Sequence, residues 1–181
     1  MEFIQRATLP VLAGATAIGF VAQRVSQTVL DGFYARSGFP VPYYVGQLSF
    51  SADKLSGWYT AMRRAGTLGV YWQTQFVDFS FIAATAVLFT AALALVARAF
   101  PAGTRGRRVA TAMIALGPAG PLCDVVENLF SFAMLPDPAS VDPVLAVLYS
   151  TAAALKFAGF IAVYAWIAAG LVAALVSRRR R

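Results

Sequence analysis

The sequence contains no histidine and a single cysteine among its 181 residues. The first absence removes histidine-based triads, most zinc sites and haem ligation. Carboxylates, Lys, Arg, Tyr, Ser and Thr are left to carry any chemistry. The second excludes an intramolecular disulfide and leaves the redox compartment unmarked. Charge is scarce as well, at 13% of residues, with only 8 acids. A soluble domain carries about 25% charged residues. Hydrophobic residues make up 59%, and that combination places the chain among polytopic membrane proteins.

What charge there is leans positive, with 15 Lys and Arg and a net +7. Nine of the 15 stand at Arg6, within residues 98–108, or in the tail 178–181. These clusters flank apolar runs and lack interleaved aromatics. They read as orienting charge at a membrane surface, with no nucleic-acid partner.

The apolar runs predict an all-α, polytopic membrane protein built as one transmembrane domain over residues 1–181. It is a four-transmembrane-helix bundle with spans at about residues 7–30, 67–97, 109–135 and 144–176. The first run has the length of a signal peptide, but Glu2 and the three later spans favour an uncleaved signal-anchor. Gly14 and Gly19 allow close helix contact there, and the Gly and Ala of the first and fourth spans permit a homo-oligomer. Residues 31–72 form a long connection whose start, marked by Pro40 and Pro42, is expected to be extended. Ser51 then caps a helix over residues 52–65, with Asp53 in its first turn and Gly66 at its end. Leu55, Trp58, Tyr59 and Met62 share one face, as expected of an extracytoplasmic interfacial amphipathic helix, or of a lid over the bundle mouth. In the third span, Gly117-Pro118-Ala119-Gly120-Pro121 predicts a kink. Asp142 and Pro143 open the fourth. The loop at 98–108 and the tail hold eight Arg and no acid, whereas 136–143 holds two Asp and no base. The positive-inside rule therefore puts both termini in the cytoplasm, in a multi-pass protein of the cell membrane.

Directly after the kink, Asp124, Glu127, Asn128 and Ser131 follow i, i+3, i+4, i+7 spacing and fall on one helix face. A charge near the bilayer centre costs roughly 2.5–3.5 kcal/mol on insertion scales, so such groups face the protein interior. Helix rise puts Asp78 and Gln75 of the second span and Lys156 of the fourth at comparable depth, with Arg24 of the first either snorkelling to the headgroups or turning inward. Arg24 and Lys156 against Asp78, Asp124 and Glu127 leave a formal −1, or −2 if Arg24 snorkels. An apolar interior resolves such an excess by letting acids share a proton or by recruiting a cation. Cys123 beside Asp124 makes a poor nucleophile, since carboxylates surround it.

Asp78, Asp124-Val125-Val126-Glu127-Asn128 and Lys156 resemble the pattern of a family of uncharacterised bacterial four-helix integral membrane proteins, which have an Asp in the second span, Asp-x-x-Glu-Asn in the third and a Lys in the fourth. Phe81 stands where those proteins have Phe, and Ile82 replaces their following Pro. That family brings no activity. A looser likeness, in size, helix number and buried acids, is to the sterol-isomerase and sigma-2-receptor-like (EXPERA) proteins. It implies intramembrane carboxylates that hold a cationic amine or carbocation-like intermediate, without the histidine that some of those isomerases use.

The expectation is a membrane protein that binds an apolar or cationic small molecule or a lipid, surrounded by membrane lipids. The site comprises Asp78, Asp124, Glu127, Asn128, Lys156, Gln75 and Arg24, with no cofactor and no metal. The alternatives are isomerase-like acid–base chemistry on a lipidic substrate, with the split carboxylates as acid and base, proton-coupled transport, and a structural assembly role.

Overall fold

The computed structural model describes residues 7–179, and side chains as far as Ser177. Glu2 and Arg6 of the N-terminal flank, Arg180 and Arg181 of the basic tail, and the side chains of Arg178 and Arg179 lie outside it. The described residues are helical throughout, without strands. Helix α1 covers Leu9–Ser37, α2 Tyr43–Gln47, α3 Ala52–Arg64, α4 Leu68–Ala99, α5 Arg105–Met113, α6 Ala119–Met134 and α7 Pro143–Arg179. Four helical segments are long and apolar enough to cross a membrane: Leu9–Ser37, Leu68–Ala99, Arg105–Met134 and Pro143–Ser177.

Three boundaries differ from the sequence expectation, each for a local reason. Helix α1 runs seven residues past position 30, because Gly32 is tolerated inside it. The stop is Gly38, which takes the left-handed φ of 64° and returns its N–H to the Ala35 carbonyl. The third span starts at Arg105 because the Thr104 side chain accepts from the Arg107 N–H and caps it. The anticipated kink is a full interruption, with a 3-10 turn at Ile114–Leu116 and a fresh start at Ala119. Pro118 and Pro121 withhold N–H donors there, and a Cβ on Gly117 would stand 2.6 Å from Thr90 Oγ1. Other ends form as expected. Ser51 accepts from the Lys54 N–H, and Asp142 Oδ1 accepts from the Val144 N–H at 2.6 Å. Gly66, at φ 73°, closes α3 in a Schellman turn with the Thr67 N–H on the Met62 carbonyl.

Helix α4 is the central element. In its most apolar 18 residues 56% are buried, against 11% for α1 and 17% for α7. Helix α1 lies along α4, with Gly19 so close that a Cβ would stand 2.9 Å from Leu88 Cα, and α6 lies along α7. Two apolar cores result. One, around Leu12, Leu88, Phe89, Leu93 and Val163, fills the end that carries the basic turn. Arg98 reaches the Ala7 carbonyl there at 2.8 Å and Arg107 the Ala97 carbonyl at 2.8 Å. Leu12 and Ala174 join the same core, so both ends of the described chain sit at this basic end.

The second core closes the opposite end, around Leu55, Tyr59, Met62, Tyr71, Met134 and Tyr149. Leu55, Tyr59 and Met62 are fully buried, so α3 spends its apolar face on the bundle. Ser56 Oγ accepts from the Val141 N–H and Thr60 donates to the Pro138 carbonyl, fastening α3 to the turn before α7. Leu55→Ala is expected to lower unfolding stability in nonionic detergent by about 2–5 kcal/mol, as for a buried leucine. A change within about 0.5 kcal/mol in the same detergent unfolding experiment, typical of a surface position, would mean that α3 is not docked.

Candidate functional site

Between the two apolar cores lies a polar layer. On α6, Asp124, Glu127, Asn128 and Ser131 are all buried, at 2%, 1%, 1% and 0% exposure, as their spacing on one helical face requires. The face is aimed by close packing of the hairpin formed by α6 and α7. A Cβ on Gly159 would stand 3.1 Å from Gly120 Cα, and one on Gly120 would strike the Phe160 ring. One turn along each antiparallel helix from that contact, Asp124 and Lys156 meet. Lys156 Nζ donates to Asp124 Oδ1 at 3.1 Å and lies 2.5 Å from Glu127 Oε2. The same ammonium stands 4.8 Å from the centre of the Phe157 ring, a cation–π distance. Glu127 Oε1 is buried with no hydrogen-bond partner among the described residues.

Helix α4 brings in the third carboxylate. Asn128 Nδ2 donates to Asp78 Oδ2 at 2.7 Å, so the carboxamide of α6 links Asp78 to the Lys156 pair. Gln75, one turn before Asp78, is also buried. The residues expected to gather do so, with one exception. Arg24 is exposed on α1 and lines no part of the cavity. The inward alternative for Arg24 is thereby corrected: its side chain is exposed, two turns before Asp31 on the same face of α1 and short of the cavity. The cluster therefore holds three carboxylates against one ammonium, a formal −2 if all are ionised.

A cavity of about 160 Å³ opens onto this layer. Its back wall is Gln75, Asp78, Asp124, Asn128 and Lys156, and its sides come from Leu30 and Tyr34 of α1 and Phe157 and Phe160 of α7. Gln27 and Asp31, bonded to each other at 2.7 Å, stand at the rim with Tyr43 and Gln47 of α2. None of these α1 and α2 residues was placed at the site by sequence; Asp31 and Tyr34 lie beyond residue 30, where α1 was expected to stop. The spacing Gln27, Asp31, Tyr34 continues one helical face, and Gly38 with Pro40 beyond it was the available stop signal.

Above the layer sits an aromatic roof. Phe39 stacks on Tyr71 with centroids 5.2 Å apart, and Tyr59 lies 5.7 Å from Tyr71. Burial, and next the neighbouring Tyr71, hold the Tyr59 phenol well above its ordinary pKa, so it stays protonated. Among the described residues, no three acid or Cys side chains converge to hold a metal ion. The partners here are organic groups: carboxylates, an ammonium, amides and phenols. No family model, curated protein or solved structure matches the chain.

Lys156→Met leaves two buried carboxylates without their counter-charge and is expected to destabilise by about 3–5 kcal/mol. Adding Asp124→Asn and Glu127→Gln to that variant should restore most of the loss. Urea or thermal unfolding in detergent reads both, and an unchanged midpoint for the single variant would contradict the ion pairs.

Proposed function

We propose that this chain is a multi-pass protein of the cell membrane whose acidic cavity binds a small cationic group carried by an organic molecule. The observation that carries the reading is the charge imbalance at the cavity: Asp78 and Asp124 line it, Glu127 lies behind, and against these three acids stands one ammonium, paired with Asp124 and Glu127. An incoming cation would neutralise an excess that the protein leaves open. The apolar lengths of the four helices support membrane insertion. The eight Arg that the sequence carries in the 98–108 turn and the C-terminal tail support cytoplasmic termini, with α3 on the outer side. Membership with the uncharacterised four-helix proteins that share the Asp, Asp-x-x-Glu-Asn and Lys pattern is part of the same proposal.

The cavity's size narrows the ligand. At about 160 Å³ it falls below the roughly 300–1,000 Å³ of pockets that enclose drug-sized molecules. A headgroup of a few heavy atoms fits, and a whole sterol does not. Transport is the weaker reading, because the core around Phe89 and Leu93 fills the bundle between the cavity and the basic end.

A second reading is favoured by the unequal settings of the acids. Asp78 is held by a neutral amide and Asp124 by an ammonium. Two carboxylates in such different settings are the arrangement from which one group can give a proton and another take it.

Thermal unfolding of the wild type and of Asp124→Asn/Glu127→Gln, against a panel of small amines and lipids, tests the binding reading. At a ligand concentration of 100 Kd the wild type should gain about 2.7 kcal/mol, and the double variant should lose that gain. Absence of any ligand-dependent shift in either protein would sink the reading.

A further inference from the structure

We propose that the ligand enters from within the bilayer, through the gap between α1 and α7 beneath α2, as an amphiphile whose small cationic head seats at Asp78 and Asp124 while its chain stays in the gap. The proposal rests on the binding reading above and specifies its ligand and its route.

Helix packing makes the gap. Helix α1 is held by α4 and α7 by α6, and α1 and α7 share no comparable interface. The cavity is therefore backed by α4 and α6 and flanked by two helices that share no substantial interface in front of it. Its walls change character along that direction. The back is acid and amide, whereas the flanks are Leu30 from α1 and Phe157 and Phe160 from α7. A polar end leading into an apolar corridor matches the two halves of an amphiphile. Outside the gap, Val29 of α1 and Leu155 of α7 are exposed large apolar residues, the composition of a surface in contact with lipid.

The rim supports the same route. Tyr43 and Gln47 of α2 edge the cavity mouth, yet the same short segment exposes Tyr44, Val45 and Leu48. Phe50, exposed and held at φ 50°, has its N–H anchored by the buried hydroxyl of Ser150 on α7 at 3.0 Å. An anchored segment that turns Tyr, Leu and Phe outward belongs at the level of lipid headgroups and upper chains. The mouth thus opens at bilayer depth.

Size and ring placement choose the head. A volume of about 160 Å³ is below that of pockets that enclose drug-sized molecules, so the remainder of any lipid-sized molecule must lie outside. Phe157 already presents its face to one ammonium, that of Lys156. Aromatic walls beside carboxylates suit an alkylammonium better than a strongly hydrated inorganic cation.

The experiment uses the full chain in dodecyl maltoside and a dodecylamine that carries a diazirine midway along its chain. After photolysis, peptide mass spectrometry should find the label on the facing segments of α1 and α7 around Leu30 and Phe157. Excess dodecylamine should abolish that labelling and dodecanol should leave it in place. Label spread over outward positions such as Ile18, Ile161 and Val172, or insensitive to dodecylamine, overturns the proposal. Tetramethylammonium, added in a parallel thermal-shift series, separates the two levels. If it raises the unfolding midpoint while the dodecylamine label is spread, the cavity binds cations from water: the route fails and the binding reading stands. If neither probe engages the cavity, both fall.

Discussion

One ammonium between two buried carboxylates is the constraint on which the rest of this structure depends. Lys156 meets Asp124 and Glu127 at 3.1 and 2.5 Å, and removing the ammonium strands two carboxylates in an interior that hydrates them poorly. That requirement fixes the register of α6 against α7. Gly120 and Gly159 allow the two backbones to approach until the short Asp124 side chain can reach the ammonium. The 3-10 turn at Ile114–Leu116 and Pro118 directly precede this contact.

The bundle is stratified along its length. An aliphatic core with Phe89 lies at the basic end, an ionic layer in the middle, and an aromatic core under α3 at the other end. Helix α4 threads all three and supplies each with the appropriate residue: Leu88 and Phe89, then Gln75 and Asp78, then Tyr71. The ionic layer is dry on both axial sides and accessible from the flank, because α1 and α7 are each held by a different neighbour. Polarity and access are thus set by different features, the first by side chains on α4, α6 and α7, the second by helix pairing.

Much of this was legible in the sequence. Periodicity located four long apolar helices, and the i, i+3, i+4, i+7 spacing from Asp124 to Ser131 correctly identified a buried face. Depth alone brought Asp78, Gln75, Asn128 and Lys156 to one layer. It failed for Arg24, which is exposed two turns before Asp31 on the same face of α1. The cavity rim was invisible in the sequence. Asp31 and Tyr34 belong to the site only because α1 continues through Gly32, and a helix-interior glycine weakens a helix by about 1 kcal/mol without ending it. The burial of α3 depended on a partner surface made of Tyr71, Met134 and Tyr149, three residues from three different helices that no local pattern connects.

The broken third span has a consequence for how the chain reaches its fold. The third span, Arg105–Met134, is long enough to cross a bilayer, but its second half, α6, carries two buried acids. Helix α7 is long but carries a buried lysine. The connection 135–142 brings the two helices together, so each supplies the other's neutralising partner. The hairpin, and not either helix alone, is therefore the unit in which these charges are paired.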